Sequence, residues 1–262
     1  MSSKDTQYLN LAIEAATRAG RFLLENIGVN VDIVAEETRE IHFQFDLAAE
    51  KIIIDALQNG SVYKIITEES GLIEATAAES EYVWIVDPLD GSINYSEGIP
   101  LSCVSVSLWK NSEPVLGVIY DFNRDQIYTG VIGLGAWVNN LPIRVKPCRS
   151  PDKAILCTGF PSSMDLSADS LNRFINQVKK FRKIRMIGSA ALSLAFVASG
   201  KVDAYYEKNI KIWDVAAGLA IVKAAGGEII CHGFPESRIV EAFGGASLDG
   251  IINKDLTDCR LS

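Results

Sequence analysis

With 262 residues, 48% of them hydrophobic and 22% charged, the chain can bury a sizeable core as one large globular unit or two intimately packed halves. A formal net charge of −8 argues against a sequence-independent grip on nucleic acid, which relies on Lys and Arg displacing counterions from phosphates; a small anionic substrate stays open where metals neutralise the site locally. No run approaches the roughly 20 apolar residues needed to cross a bilayer, no secretory stretch follows Met1, and Cys103, Cys148, Cys157, Cys231 and Cys259 are odd in number without Cys-x-x-Cys spacing, a pattern expected of a soluble cytoplasmic protein with reduced thiols.

Leu11, Ala12, Ala15, Ala16, Ala19, Phe22 and Leu23 recur at helical spacing and predict an amphipathic helix over about residues 7–27. A second helix is expected after Asp46, with Leu47, Ala48, Ile52, Ile53, Ala56 and Leu57 on its apolar face and Asn59-Gly60 as its stop. From 82 to 147 the pattern turns to short β-rich runs, at 82–86, 103–109, 115–121, 127–131 and 136–138. Asn111, Gly133, Gly135 and Asn139-Asn140 punctuate them. This half reads as an antiparallel sheet backed by the two N-terminal helices. The second half alternates: strand 154–157, helix 167–181, strand 183–186, helix 189–199, strand 203–207, helix 214–225 and strand 228–231. Alternation of this kind argues for a sheet covered by helices. The stretch from Pro142 to Pro151 is the best junction between an α+β half, 1–147, and an α/β half, 148–262, of one compact unit.

The most informative run is Trp84-Ile85-Val86-Asp87-Pro88-Leu89-Asp90-Gly91-Ser92-Ile93-Asn94. An apolar strand hands over to two carboxylates, a stiffening proline and a Gly-Ser pair fit to open a helix. Magnesium takes hard oxygen ligands in near-octahedral geometry at about 2.0–2.1 Å, and Asp87, Asp90 and the Leu89 carbonyl can supply them. The N–H groups after Gly91 can face an anion at a helix N-terminus.

This run resembles the signature of the inositol monophosphatase family of metal-dependent phosphatases. Upstream, Tyr63-Lys64-Ile65-Ile66-Thr67 runs into Glu68-Glu69-Ser70-Gly71, similar to the family's Glu-Glu-Ser motif. Downstream, Ile212-Trp213-Asp214-Val215-Ala216-Ala217-Gly218 leads to Ala225-Gly226-Gly227, similar to its Trp-Asp-x-Ala-(Ala/Gly)-Gly…Gly-Gly signature. The order and spacing span nearly the whole chain. The resemblance implies the layered αβαβα sugar-phosphatase fold, of class α+β, with the site between the halves. It implies two or three Mg2+ ions: the first on Glu68, Asp87 and the Leu89 carbonyl, the second on Asp87, Asp90 and Asp214, and a third, weaker one on Glu68 and water. Ser92 stands at the family's usual threonine position and Asp46 at that of the acidic partner of its hydroxyl, so the two would orient an attacking water while Glu68 helps to take its proton. Gly188-Ser189-Ala190 and Tyr205-Tyr206-Glu207 resemble its substrate-side segments, with Leu89, Asp90, Gly91, Ser92 and Asp214 also against substrate and Glu207 accepting from a polyol. A homodimer is also implied.

Each motif has a plainer reading. Asp214 and Asp46 can be helix caps, as can Ser92. Asp-Pro-x-Asp-Gly can be a turn, Glu68-Glu69 a solvated loop, Gly188 a routine turn and Glu207 a surface residue. The chain departs from the family before Asp46, where Asp-x-Val-Thr is usual: here the stretch is Arg39-Glu40-Ile41-His42-Phe43-Gln44-Phe45-Asp46, and Lys4 is the sole lysine upstream. That puts the third metal in question and leaves His42 as a ligand, a base or a packed residue. His232 has less support. Lys179-Lys180-Phe181-Arg182-Lys183-Ile184-Arg185 is the one basic run, either a solvated helix end or a receptor for a second phosphate or an acidic partner.

The leading expectation is a magnesium-dependent phosphatase of a small sugar or polyol monoester such as inositol 1-phosphate. A 3′(2′),5′-bisphosphate nucleotidase or a fructose-1,6-bisphosphatase of the same fold is the runner-up. From another class, the chain can be a weakly catalytic regulatory or scaffold protein that docks another macromolecule.

Overall fold

The structure, a computed structural model, describes residues 3–27, 33–37, 40–75, 81–147, 150–160, 165–237 and 239–245. Cys148 and Cys259, Arg39, and the side chains of residues 40–43, His42 among them, lie outside the described set.

Helix α1 (Ser3–Glu25) and helix α2 (Gln44–Gly60) form where periodicity requires. Ala12, Ala15, Ala16, Ala19 and Leu23 of α1 and Ala49, Ile53 and Leu57 of α2 are fully buried on the face turned to the core. Between them a hairpin of β1 (Ile33–Glu37) and β2 (Glu40–Phe43) stands apart as a two-stranded sheet.

An eight-stranded sheet follows: β3 (Lys64–Thr67), β4 (Gly71–Ile73), β5 (Tyr82–Asp90), β6 (Cys103–Lys110), β7 (Glu113–Asp121), β8 (Gln126–Val131), β9 (Gly135–Val138) and β10 (Leu141–Ile143), in the order β10-β9-β8-β7-β6-β5-β3-β4. From β5 to β10 the sheet is antiparallel as expected, and β3, which precedes that stretch, joins it parallel to β5, with Thr67 opposite Val86. Strand β4, which follows β3 in the chain, folds back antiparallel on it. A short helix α3 (Ser92–Ser96) follows β5.

The second sheet takes β11 (Ile155–Cys157), β12 (Lys183–Arg185), β13 (Ala204–Lys211), β14 (Glu228–His232) and β15 (Ile239–Gly245), in the order β12-β11-β13-β15-β14. Strands β12, β11 and β13 are parallel, and β13, β15 and β14 antiparallel.

Helix α5 (Ala190–Ala198) and helix α6 (Ile212–Ala224) are apolar almost all round. Such helices have no face to offer water, and both lie between the two sheets. Contact is close there: a Cβ on Gly130 of β8 would stand 2.6 Å from the Ile221 Cα of α6. Helix α4 (Ala168–Val178) covers the far side of the second sheet, where Val178 packs with Leu156 and Ala204. The layers are thus α1/α2, sheet, α5/α6, sheet, α4, the αβαβα arrangement. Both faces of the larger sheet are covered, so Val83 to Asp90 of β5 are buried without interruption.

Among the described residues, no helix is long and apolar enough to cross a membrane. The basic run spans the end of α4 and β12 with its lysines and arginines exposed, and Lys179 Nζ donates to Asn176 Oδ1 at 2.7 Å.

Candidate active site

The parallel register of β3 and β5 builds the site. Because Thr67 pairs with Val86, Glu68 and Asp87 leave adjacent strands at the same level. Ligands gather at the carboxyl ends of parallel strands for this reason; an antiparallel β3 would have carried Glu68 to the opposite end of the sheet. A bulge then follows on β5. Asp87 faces Ser105 and Asp90 faces Cys103, so Pro88 and Leu89 fall outside the regular ladder. The Leu89 N–H turns back to Asp87 Oδ1 at 3.0 Å. Pro88 has no N–H to leave unpaired.

Asp90 joins the two sheets' elements. Its Oδ2 accepts from Ser189 Oγ at 2.5 Å and from the Ala191 N–H at 2.7 Å, with the Cys103 thiol at 3.8 Å. Ser189 is the N-cap of α5 and also accepts from the Leu192 N–H at 3.1 Å. Asp90 therefore rests on a helix N-terminus. Gly91 carries the sharp turn that follows, with φ at +90°. A Cβ there would stand 2.7 Å from the Leu101 carbonyl oxygen, so glycine is required on both counts.

These segments surround a cavity of about 540 Å³ whose walls include Asp46, Glu68, Asp87, Leu89, Asp90, Gly91, Ser92, Gly188, Ser189, Ala190, Glu207 and Asp214. The site residues that the family resemblance implies all line this one space. Neither aspartate is a cap: the N-cap of α6 is Lys211, and Asp214 sits in the first turn, its carboxylate taking the Lys211 backbone N–H. Asp46 lies in the first turn of α2. Ser92 is not a cap either, because Gly91 occupies that position and no side chain caps α3. The pairing of Ser92 with Asp46 needs correction: Ser92 Oγ donates to the Leu89 carbonyl oxygen at 3.1 Å, the nearer acceptor across the turn. His232 is exposed on β14 and does not line the cavity.

Glu207 is buried rather than on the surface, 7% exposed, and accepts from the Tyr205 hydroxyl at 3.0 Å. Gly159 lies so close behind it that a Cβ would stand 2.8 Å from Glu207 Oε2. The β13 ladder shifts register between Glu207 and Ile210, and Asn209 takes φ +58° there. Glu207, Asn209, Ile210 and Lys211 around this bulge all line the cavity.

The electrostatics are those of crowded carboxylates. Burial, and then the charges of Glu68, Asp90 and Asp214, hold Asp87 well above the usual carboxylate range. Asp214 is raised in the same way by burial and by Glu68, Asp90 and Glu207. Burial lifts Asp90 to about 6 against the opposing donors of Ser189 and Ala191, and lifts Glu207 to about 7. Like charges so placed disfavour one another's ionisation. Among the described residues, no three His, Cys, Asp or Glu side chains close tightly enough on one point to hold an ion as they stand. The donor chemistry nonetheless fits: Glu68, Asp87, Asp90 and Asp214 offer hard oxygens, as Mg2+ requires, and a cation among them would relieve the repulsion.

Sequence reasoning missed Asn94, whose Nδ2 donates to the Leu101 carbonyl at 2.9 Å and the Ile187 carbonyl at 2.8 Å. It ties α3 to the segment before α5. A Cβ on Gly188, which takes φ +73°, would stand 2.8 Å from this amide. Asn94 lay inside the quoted run, but a bridge to residue 187 leaves no local signal. Thr158, Phe160, Met186 and Lys211 also line the cavity unforeseen.

Known proteins share this architecture. The model of the inositol monophosphatase family matches residues 4–249. "Nus factor SuhB" of Pasteurella multocida is 36% identical over 230 residues, 85% of this chain and 84% of that one. "Inositol monophosphatase 3" of Solanum lycopersicum is 38% identical over 229 residues, 84% of each. The crystal structure of extragenic suppressor protein suhB from Bartonella henselae superposes with a TM-score of 0.83 at 32% identity, covering 97% of this chain and 99% of that one. The chain belongs to the inositol monophosphatase family, and it shares its fold with solved inositol monophosphatases.

Proposed function

We propose that this member of the family is a magnesium-dependent phosphatase that hydrolyses the monoester of a small sugar or polyol phosphate, with inositol 1-phosphate the first substrate to try. The observation that carries the reading is the register of β3 against β5, which delivers Glu68 beside Asp87 at the mouth of a cavity that Asp90 and Asp214 also face. Glu68, Asp87 and the Leu89 carbonyl would hold one ion, Asp87, Asp90 and Asp214 a second, and Glu68 a weaker third. Bound divalent cations supply charge neutralisation at the phosphoryl oxygens and the leaving oxygen, and lower the pKa of water.

The chain's own groups do the rest. Ser92 Oγ has its proton committed to the Leu89 carbonyl, so its lone pairs face outward to accept from the attacking water. Glu68 takes the water's second proton as the P–O bond forms. Glu207, recessed behind Tyr205 and Gly159, accepts from substrate hydroxyls, which suits a polyol. Main-chain atoms of Gly188 and Ala190 limit how bulky that end can be. We include a two-fold homodimer and a cytoplasmic location in the reading; Cys103, Cys157 and Cys231 are free thiols, which fits a reducing compartment. The dimer rests on the family resemblance alone, since helices cover both sides of the larger sheet and leave it no open face to pair.

A second reading has its own support. Phe160, packed on Phe174 at 4.5 Å between ring centroids, and Met186 are exposed apolar groups on the cavity wall. They offer a base somewhere to lie, which favours a 3′(2′),5′-bisphosphate nucleotidase. The name Nus factor, borne by relatives, supports a docking role for the same fold. Phosphate release from a panel of sugar, polyol and nucleotide monoesters, with and without magnesium, separates these. Turnover of inositol 1-phosphate above adenosine 3′,5′-bisphosphate supports the leading reading, the reverse supports the nucleotidase, and no release from any ester removes both.

A further inference from the structure

Glu50 lies one turn beyond Asp46 on α2 and is 2% exposed. Its Oε2 accepts from Thr67 Oγ1 at 2.7 Å and from the Glu69 N–H at 3.0 Å. Its Oε1 accepts from the Ser70 N–H at 3.0 Å and from Ser70 Oγ. All these donors come from one turn. Thr67 of β3 pairs with Gly71 of β4, so residues 68–70 form the tip of a tight hairpin, and Gly71 takes φ +74° at its close. A carboxylate with donors on both oxygens makes hydrogen bonds about twice as strong as neutral pairs. It also serves two backbone N–H groups that would otherwise be orphaned inside the tip.

Glu68 stands between the residues that Glu50 grips. Its neighbours are both bonded to the same carboxylate, Thr67 through its hydroxyl and Glu69 through its N–H, so the chain on either side of Glu68 is tied to α2. We propose that Glu50 is a positioning residue: its carboxylate folds the 67–70 turn inward and thereby sets the aim of Glu68 into the cavity. The metal affinity of the site then depends on a side chain that touches neither metal nor substrate. The part played by Glu68 in this inference rests on the phosphatase reading. Groups that orient metal ligands in this way are worth about 10–100-fold in metal affinity.

The test uses Glu50→Gln, which keeps the shape but points an amide NH2 at donors, and Ser70→Ala, which removes one donor at an exposed position. Mn2+ binding is measured by titration calorimetry, and hydrogen exchange is followed at the Glu69 and Ser70 amides. Glu50→Gln should weaken Mn2+ binding by about 10–100-fold, with faster exchange at those amides, and Ser70→Ala should move both in the same direction by less. At a temperature well below the variant's metal-free Tm, where a merely destabilised fold is still fully folded and would show the parent's metal dependence, kcat should be low at parent-saturating metal and restored by excess. Should Glu50→Gln not fold, Ser70→Ala carries the test alone. Unchanged Mn2+ affinity in a folded Glu50→Gln, or in Ser70→Ala where that is the variant in hand, overturns the inference while parent binding stands. A parent that binds no Mn2+ overturns the proposed function instead.

Discussion

Replacing Asp90 with Asn separates the cost of the carboxylate cluster from its use. Burial raises Asp90 from 3.8 to about 6. The folded protein thus holds that proton more tightly than the unfolded chain, and the associated stability is present below about pH 4 and lost as pH rises through about 6. A shift of roughly two units at 1.36 kcal/mol each puts the cost of ionised Asp90 on the order of 3 kcal/mol near neutral pH and above. Asparagine avoids that cost, and little is lost in exchange. Ser189 Oγ, the Ala191 N–H and the Cys103 thiol all converge on Oδ2, where a single amide oxygen can serve them. In chelator near pH 8 the variant should therefore melt above the parent, by about 6–10 °C for a chain of this size. Near pH 4 the two should coincide. Magnesium should raise the parent's Tm and raise the variant's by less, since only the ion on Glu68, Asp87 and the Leu89 carbonyl keeps its ligands, with turnover abolished. Scanning calorimetry over pH 4–8 reads all of this. A variant less stable than the parent at pH 8, or one offset equally at both ends of the range, would refute the reasoning.

Ser92→Ala should lower kcat by about 10²–10⁴ with little change in Tm, since Gly91 and not Ser92 caps α3, and Ser92→Thr should stay active; a shift in Tm with kcat intact would return Ser92 to a structural role. The stretch before Asp46 departs from the family at His42-Phe43, so high magnesium should be needed for activity and lithium should inhibit weakly. His42→Val with Phe43→Thr should lower the half-maximal magnesium concentration, and identical titrations of parent and double variant with both ions would make the departure neutral packing. Light scattering at micromolar concentration should give twice the chain mass of 28.5 kDa, whereas the single mass would remove the dimer.

Period and punctuation carried most of the fold. The all-apolar stretches of α5 and α6 and the β-rich runs from 82 to 138 were readable because burial imposes a local pattern on each. What escaped was set by partners distant in sequence. The parallel pairing of β3 with β5 is a topological fact, and Lys64 to Thr67 read equally well as a strand in either direction. Strand β15 pairs with both β13 and β14, yet Ile239 to Gly245 was not read as a strand at all, its two glycines masking the alternation. The same holds at the site. Asp87, Asp90 and Asp214 were found because their motifs are contiguous, whereas Asn94 and Glu50 act across 93 and 20 residues of chain respectively. The Ser92–Asp46 bond was carried over from resemblance, and the local acceptor, Leu89, wins in this turn.

The central claim is that Glu68, Asp87, Asp90 and Asp214 together hold divalent cations. Its most direct measurement is anomalous scattering from crystals of this protein grown with Mn2+. The account predicts peaks within ligand distance of the Asp87 carboxylate, one shared with Glu68 and the Leu89 carbonyl and one with Asp90 and Asp214. It also predicts their disappearance in Asp90→Asn at the second position. An anomalous map with no peak among these four carboxylates, from crystals of protein that releases phosphate in the same buffer, would contradict it.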